Sequence, residues 1–206
     1  MSFQELRRSV AGEIFDYPML MHHLKEYQKP RDKITQLLKN QSIIRIKKGL
    51  YVFGPDYQRK PVTREILANL IYTPSYISLE YALSSYGLIP ERAYQITSIC
   101  LNRSNTFETP LGLFIYKKRD PSVYPIGITR IEVPQEGSYL IATPEKALVD
   151  LISESKGIET LAEMREHLYD NLRIDPAMAK DLNRKLLTEI LSAYQYPYTL
   201  IQAIYD

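Results

Sequence analysis

The sequence predicts an α+β chain, and three observations predict it. Residues 29–54, KPRDKITQLLKNQSIIRIKKGLYVFG, show helical spacing of apolar residues, then two short β-rich runs around a Lys48-Gly49 turn. Residues 94–142 hold partly alternating runs separated by polar turns. From Thr143 onward the spacing is helical. It is opened by Thr-Pro-Glu, which supplies a cap, a proline at the first position and an acid in the first turn.

Taken in order, Ser2 to Ala11 is expected as a first helix. Ser2 is its N-cap, Phe3, Leu6 and Val10 share one face, and Gly12 ends it. Ile14-Phe15-Asp16 leads into a second helix, Tyr17 to Tyr27, with Asp16 as cap, Pro18 in the first turn, and Leu20, Leu24 and Tyr27 inward. A third helix is expected from Pro30 to Asn40. Ile34, Leu37 and Leu38 form its apolar face, with Lys33, Gln36 and Lys39 off it. Ile43–Lys47 and Leu50–Phe53 then form a hairpin with a basic tip, ended by Gly54-Pro55. Three helices closed by such a hairpin predict a winged helix-turn-helix over residues 1–58.

Asp56 to Pro61 is polar and is expected as a linker into a second domain, residues 59–206, built of mixed sheet and helices. A helix from Pro61 to Ile71 is broken by Thr73-Pro74. Another starts at Ser78, and Gly87 closes it in a left-handed cap. Strands are expected at Tyr94–Leu101, Leu111–Lys117, Ile126–Val133 and Tyr139–Ala142, with polar turns at Asn102–Thr106 and Gln135–Ser138. The helix opened at Thr143 runs to Gly157. Leu161, Met164, Leu168 and Leu172 mark the next. Asp175-Pro176 starts one that carries Leu182, Leu186, Leu187 and Ile190. The apolar tail, Tyr194 to Tyr205, is expected to dock.

Composition narrows the function. The 206 residues are 45% hydrophobic and 24% charged, ordinary for a globular protein with room for a core. Cys100 is the sole cysteine, so neither an intrachain disulfide nor a cysteine metal cluster is expected. Adjacent His22 and His23 face different ways on any regular element, which argues against a shared metal. No cofactor is expected. No apolar run is long enough to span a bilayer, and Arg7-Arg8 precede no apolar stretch, so no membrane partner is expected and the cytoplasm is the expected location.

Charge is unevenly spread. Residues 1–60 hold 12 Lys+Arg against 6 Asp+Glu, a net of +6, whereas residues 61–206 hold 14 against 18, a net of −4. A basic end on a mildly acidic body points to a polyanion, double-stranded DNA given the helix and hairpin. A solvated face without a ligand is the bland alternative. Lys29, Arg31, Lys33, Arg45, Lys47 and Lys48 are the candidates for phosphate contacts. Arg31, Thr35 and Gln36 are the candidates for base edges, since Arg suits guanine and Gln suits adenine by paired hydrogen bonds. Lys39 suits either role. Tyr51 is placed to reach a phosphate or to pack beneath the hairpin.

Glu80, Glu145, Lys146 and Asp150 resemble the acid–acid–lysine set of metal nucleases. Their positions favour structural roles. Glu80 and Glu145 lie in first helical turns, and Lys146 and Asp150 are four apart. Neither a phosphate loop nor a nucleophile elbow is present, and no enzyme activity is expected. Seventeen tyrosines and no tryptophan suggest either a partner surface around Tyr72, Tyr76, Tyr81 and Tyr86 or tyrosines edging a core; the second is preferred.

Three segments together carry a family resemblance: IRIKKGLYVFGP at the hairpin, YISLEYALSSYGLIPE at Tyr76–Glu91, and YLIATPEKALVDLI at Tyr139–Ile152. In this order the chain resembles the AbiEi antitoxins, the regulatory half of bacterial abortive-infection toxin–antitoxin systems of type IV, and matches least after Gly157. The resemblance implies a transcriptional repressor that binds inverted repeats in its own operator through the winged helix. It also implies that the second domain counters a nucleotidyltransferase-like toxin encoded next door, with direct contact between the two left open. A plain winged-helix regulator whose second domain binds a partner or ligand is the alternative.

Overall fold

The computed structural model describes residues 3–155 and 157–206. The expected cap of the first helix, Ser2, lies outside the described residues. Helix α1 (Phe3–Ser9) is followed by strand β1 (Ile14–Asp16), α2 (Tyr17–Leu24), α3 (Pro30–Lys39), β2 (Ile43–Lys47) and β3 (Leu50–Phe53). The Asp16 carboxylate accepts from the Met19 amide at 2.8 Å, as a capping residue should. Strand β1 was not expected. It pairs antiparallel with β3, giving the order β1-β3-β2. Three residues are too short to show periodicity, so only the partner strand identifies it.

The end of the hairpin is tied to the end of α3. The Gly54 amide donates to the Ser42 carbonyl at 2.9 Å. A Cβ on Gly54 would stand 1.7 Å from the Gln41 carbonyl oxygen, so only glycine permits this approach.

This small sheet is covered on both faces. Phe15, Ile43, Tyr51 and Phe53 pack with Phe3, Leu6, Leu20, Leu24, Ile34 and Leu37 of the three helices. Ile46, Leu50 and Val52 belong instead to the larger core formed by the rest of the chain. Every residue of β3 is therefore buried. The segment expected as a free linker is also engaged. The Arg59 guanidinium donates to the Arg7 carbonyl at 2.7 Å, and Lys60 pairs with Glu136 at 2.8 Å. Beneath it Arg7 and Glu13 form a buried ion pair at 2.7 Å.

The larger part is a mixed sheet of six strands, β4 (Ser75–Ile77), β5 (Ile96–Cys100), β6 (Asn105–Thr109), β7 (Gly112–Lys118), β8 (Ile128–Val133) and β9 (Gly137–Ala142), in the order β6-β7-β5-β4-β9-β8. β5–β7 and β4–β9 are parallel, and the remaining pairs antiparallel. Two strands depart from the expected set. The central β4 replaces a supposed break after Thr73-Pro74, and β6 starts within a supposed polar turn, taking its last two residues, Asn105 and Thr106, and running on to Thr109. β4 is three residues long and buried throughout, so alternation cannot reveal it. β6 is a polar edge strand, whose side chains resemble those of a loop.

Helices α4 (Arg64–Ile71), α5 (Leu79–Ser85), α6 (Pro144–Ile152), α7 (Leu161–Glu166), α8 (Pro176–Lys180), α9 (Arg184–Tyr194) and α10 (Thr199–Tyr205) complete the chain. Gly87 takes φ +73 after α5, the left-handed closure expected of it. The Thr143 hydroxyl caps α6 at the Lys146 amide. α6 ends at Ile152, short of the expected Gly157. The single helix expected after Pro176 is two, because Asn183 caps a new start at the Leu186 amide. The tail docks as expected: Leu200, Ile201, Ala203 and Ile204 are buried.

The tyrosines rivet these layers together. The hydroxyls of Tyr72, Tyr86, Tyr116, Tyr169 and Tyr205 donate to the carbonyls of Arg103, Ala142, Ala68, Ala203 and Leu182, at 2.6–3.0 Å. Burial raises the pKa of Tyr76 and Tyr116 far above the ordinary 10.0. A raised folded-state pKa stabilises fully below the unfolded value and is lost as pH rises past it. Alkali is therefore expected to unfold the chain steeply above about pH 10. Each of these two phenols contributes roughly 1.4 kcal/mol per pH unit. Denaturant titrations at stepped pH, with phenolate absorbance in parallel, check this; stability that stays flat from pH 10 to about 11.5 contradicts it.

Candidate nucleic-acid interface

α3 turns Ile34 and Leu37 into the small core. At 3.6 residues per turn this leaves Arg31, Asp32, Thr35, Gln36 and Lys39 on the opposite face, and all five are exposed. Lys29, just before the helix, is exposed too. Arg45 and Lys48 project from the adjacent hairpin and are likewise exposed. The structure thus gathers seven of the nine expected residues, Lys29, Arg31, Thr35, Gln36, Lys39, Arg45 and Lys48, on α3 and the hairpin beside it as exposed side chains.

The other two are partly occupied. The Lys33 ammonium bonds the Gln36 side chain at 3.0 Å and lies 5.6 Å from the centre of the Tyr27 ring. Lys47 is a correction. A bulge between Arg45 and Lys47 shifts the register of β2 against β3. The Lys47 ammonium is half-buried and donates to the Ile71 carbonyl at the end of α4. Burial also lowers its pKa. It therefore fastens the hairpin to the larger core and is not presented to a phosphate. Tyr51, also weighed for phosphate contact, is buried against Phe15.

One residue on this surface was missed. Asp32 sits in the middle of the exposed face of α3, where a carboxylate repels phosphate but can accept from a cytosine amino group. The helical spacing that placed Arg31 would have placed it. The Thr35 hydroxyl donates back to the Arg31 carbonyl at 3.1 Å.

The acid–lysine set of the larger part is a buried network. Asp150 is fully buried and accepts from Ser78 at 2.6 Å, from Tyr76 at 3.1 Å and from the Tyr194 hydroxyl. Lys146, also fully buried, donates to the Val123 carbonyl at 2.6 Å and to Tyr194 at 3.0 Å, with Asp150 3.6 Å away. Burial lowers the Lys146 pKa, and the Asp150 charge opposes that shift. Glu145 accepts the Asn183 amide at 2.7 Å. Glu80 lies apart, on a cavity with Tyr94, Gln95 and Lys117. Among the described residues no group of three His, Cys, Asp or Glu side chains is placed to hold a metal ion. Beside the network, a cavity of about 480 Å³ is lined by Arg119, Ser122, Ser153, Glu154, Tyr194 and Tyr196, among others.

These features define an α+β protein with a helical C-terminus and a basic helix–hairpin surface at one end. Its fold is similar to that of the crystal structure of the RV2827C protein from Mycobacterium tuberculosis. The TM-score is 0.58 at 14% identity, over 98% of this chain and 74% of that one. No family model matches the sequence, and no curated protein matches it. Among the described residues no helix is long and apolar enough to cross a membrane.

Proposed function

We propose that the chain is a DNA-binding antitoxin of the AbiEi kind, a winged helix-turn-helix repressor of its own operon that also counters a nucleotidyltransferase-like toxin. The observation that carries the reading is the exposed face of α3, with Arg31, Thr35, Gln36 and Lys39, joined by Arg45 and Lys48 on the hairpin next to it. The order α1-β1-α2-α3-β2-β3 supports it, since in a winged helix the helix before the hairpin is the one that enters the major groove. Bound there, the protein excludes polymerase and lowers expression of both partners, in the cytoplasm.

The test is binding to the DNA upstream of its own gene, against a scrambled duplex, at several salt concentrations. Selective binding that weakens with salt, by about 0.9 in the log–log slope per phosphate contact, is the expected result. Equal affinity for both duplexes removes the repressor. Growth rescue on co-expression with the neighbouring nucleotidyltransferase-like protein tests the antitoxin half separately.

One observation favours the alternative, a plain regulator with a ligand-binding second domain. The cavity beside Arg119 and Tyr194 has polar walls and room for a small molecule. A small molecule that changes operator affinity, together with no rescue of growth, decides for it.

A further inference from the structure

Strand β8 is an open edge of the six-stranded sheet, and its residues form a pattern that complements itself. Among the described residues β8 pairs only with β9, with Arg130 opposite Leu140, Ile131 opposite Tyr139 and Glu132 opposite Ser138. The amide and carbonyl of Leu140 both point away from β8, because Asn69 on α4 takes them: its side chain accepts from the amide at 2.6 Å and donates to the carbonyl at 3.5 Å. In an antiparallel ladder, residues directly opposite alternate between bonded and non-bonded pairs. Arg130–Leu140 is therefore non-bonded. The amides and carbonyls of Arg130 and Glu132 point to the open edge, while those of Ile131 point to β9.

We infer that this edge is a homodimer interface, in which β8 of one copy pairs antiparallel with β8 of a second copy about a two-fold axis at Ile131. In that register Arg130 of each copy stands opposite Glu132 of the other, and each pair exchanges both backbone hydrogen bonds. Both side chains are exposed, at 63% and 67%, and lie on one face of the strand, where they already pair with each other at 2.7 Å. Opposite charges directly across a ladder attract. On the other face Ile131, 37% exposed, meets its own counterpart. There the two strands form a non-bonded pair, whose side chains approach most closely.

The charges also exclude the neighbouring registers. Sliding one strand by two residues either way puts Arg130 against Arg130 or Glu132 against Glu132, and like charges in this position repel. The other sheet edges lack this complement. β6 carries Glu108 as its one charged residue, β2 carries Arg45 and Lys47, and β1 carries Asp16. Charges on an edge commonly prevent pairing when they share one sign. Here both signs are spaced to satisfy a second copy.

The test is sedimentation equilibrium of the full chain up to millimolar concentration, without DNA, so its outcome is independent of the repressor reading. Wild type is expected to dimerise. Arg130→Glu alone and Glu132→Arg alone are each expected to weaken the dimer about tenfold or more, because each homodimer then sets like charges across the axis twice. An equimolar mixture of the two variants is expected to restore association as a heterodimer. The double exchange Arg130→Glu/Glu132→Arg is expected to restore the homodimer. Circular dichroism shows that each variant is folded. A wild type that stays monomeric overturns the proposal, as does a dimer indifferent to the single exchanges or a mixture that does not associate.

Discussion

Replacing Arg31, Lys39, Arg45 and Lys48 together with alanine is expected to remove most of the DNA affinity proposed for the chain, about a thousandfold at moderate salt. All four are exposed, so the substitutions leave both cores intact. Losing phosphate contacts from Lys39, Arg45 and Lys48 lowers the salt slope by roughly 3. Losing a paired contact from Arg31 to guanine costs about 1–3 kcal/mol and relaxes selectivity at one base pair. Lys47→Ala is the contrast. Its ammonium is held by the Ile71 carbonyl, so the salt slope is expected to stay unchanged. The melting temperature falls by about 2–4 °C, for one lost hydrogen bond worth about 1 kcal/mol. Fluorescence anisotropy against salt, beside thermal melts, separates the two behaviours. A slope that drops as much for Lys47→Ala as for Lys48→Ala contradicts the account of the hairpin.

Asp150→Ala is expected to lower the stability of the whole chain by about 3–5 kcal/mol, which corresponds to a fall of roughly 10 °C in melting temperature. The carboxylate faces the Lys146 ammonium and accepts from Tyr76, Ser78 and Tyr194 in a site closed to water. Without it a buried ammonium loses its counter-charge, and hydroxyls from β4, the start of α5 and the end of α9 lose their acceptor. Adding Lys146→Met removes the stranded charge and is expected to recover about half of the loss. Urea unfolding of the two singles and the double closes the cycle. A cost under about 1 kcal/mol for Asp150→Ala would mean that the network does not hold these elements together.

The depth of this network was not legible in the sequence. Lys146 and Asp150 at i and i+4 are what a solvated helix pair looks like in sequence, and periodicity carries no information on depth. Burial of every residue of α6 after Pro144 turned an ordinary spacing into an internal polar centre. Lys47 is a parallel case. A lysine at a hairpin tip suggests phosphate, yet the bulge beside it and the covered face of β3 turn it inward. Lys48, one residue on, remains outside.

The sequence by itself determined the helices with strong caps or wide apolar faces, the hairpin and its turn, the left-handed closure at Gly87, and the basic face of α3. Each of these depends on residues within one or two turns of chain, where spacing, φ preference and charge act locally. Only the tertiary structure decided the rest. β1 and β4 are three residues long and exist because partner strands from elsewhere in the chain bond them. The depth of Lys146, Asp150 and Lys47 was set by what packs over them. So was the open edge at β8, since an edge is defined by the strand that is missing beside it. Burial and pairing over long separations are properties of the assembled chain, and no local window contains them.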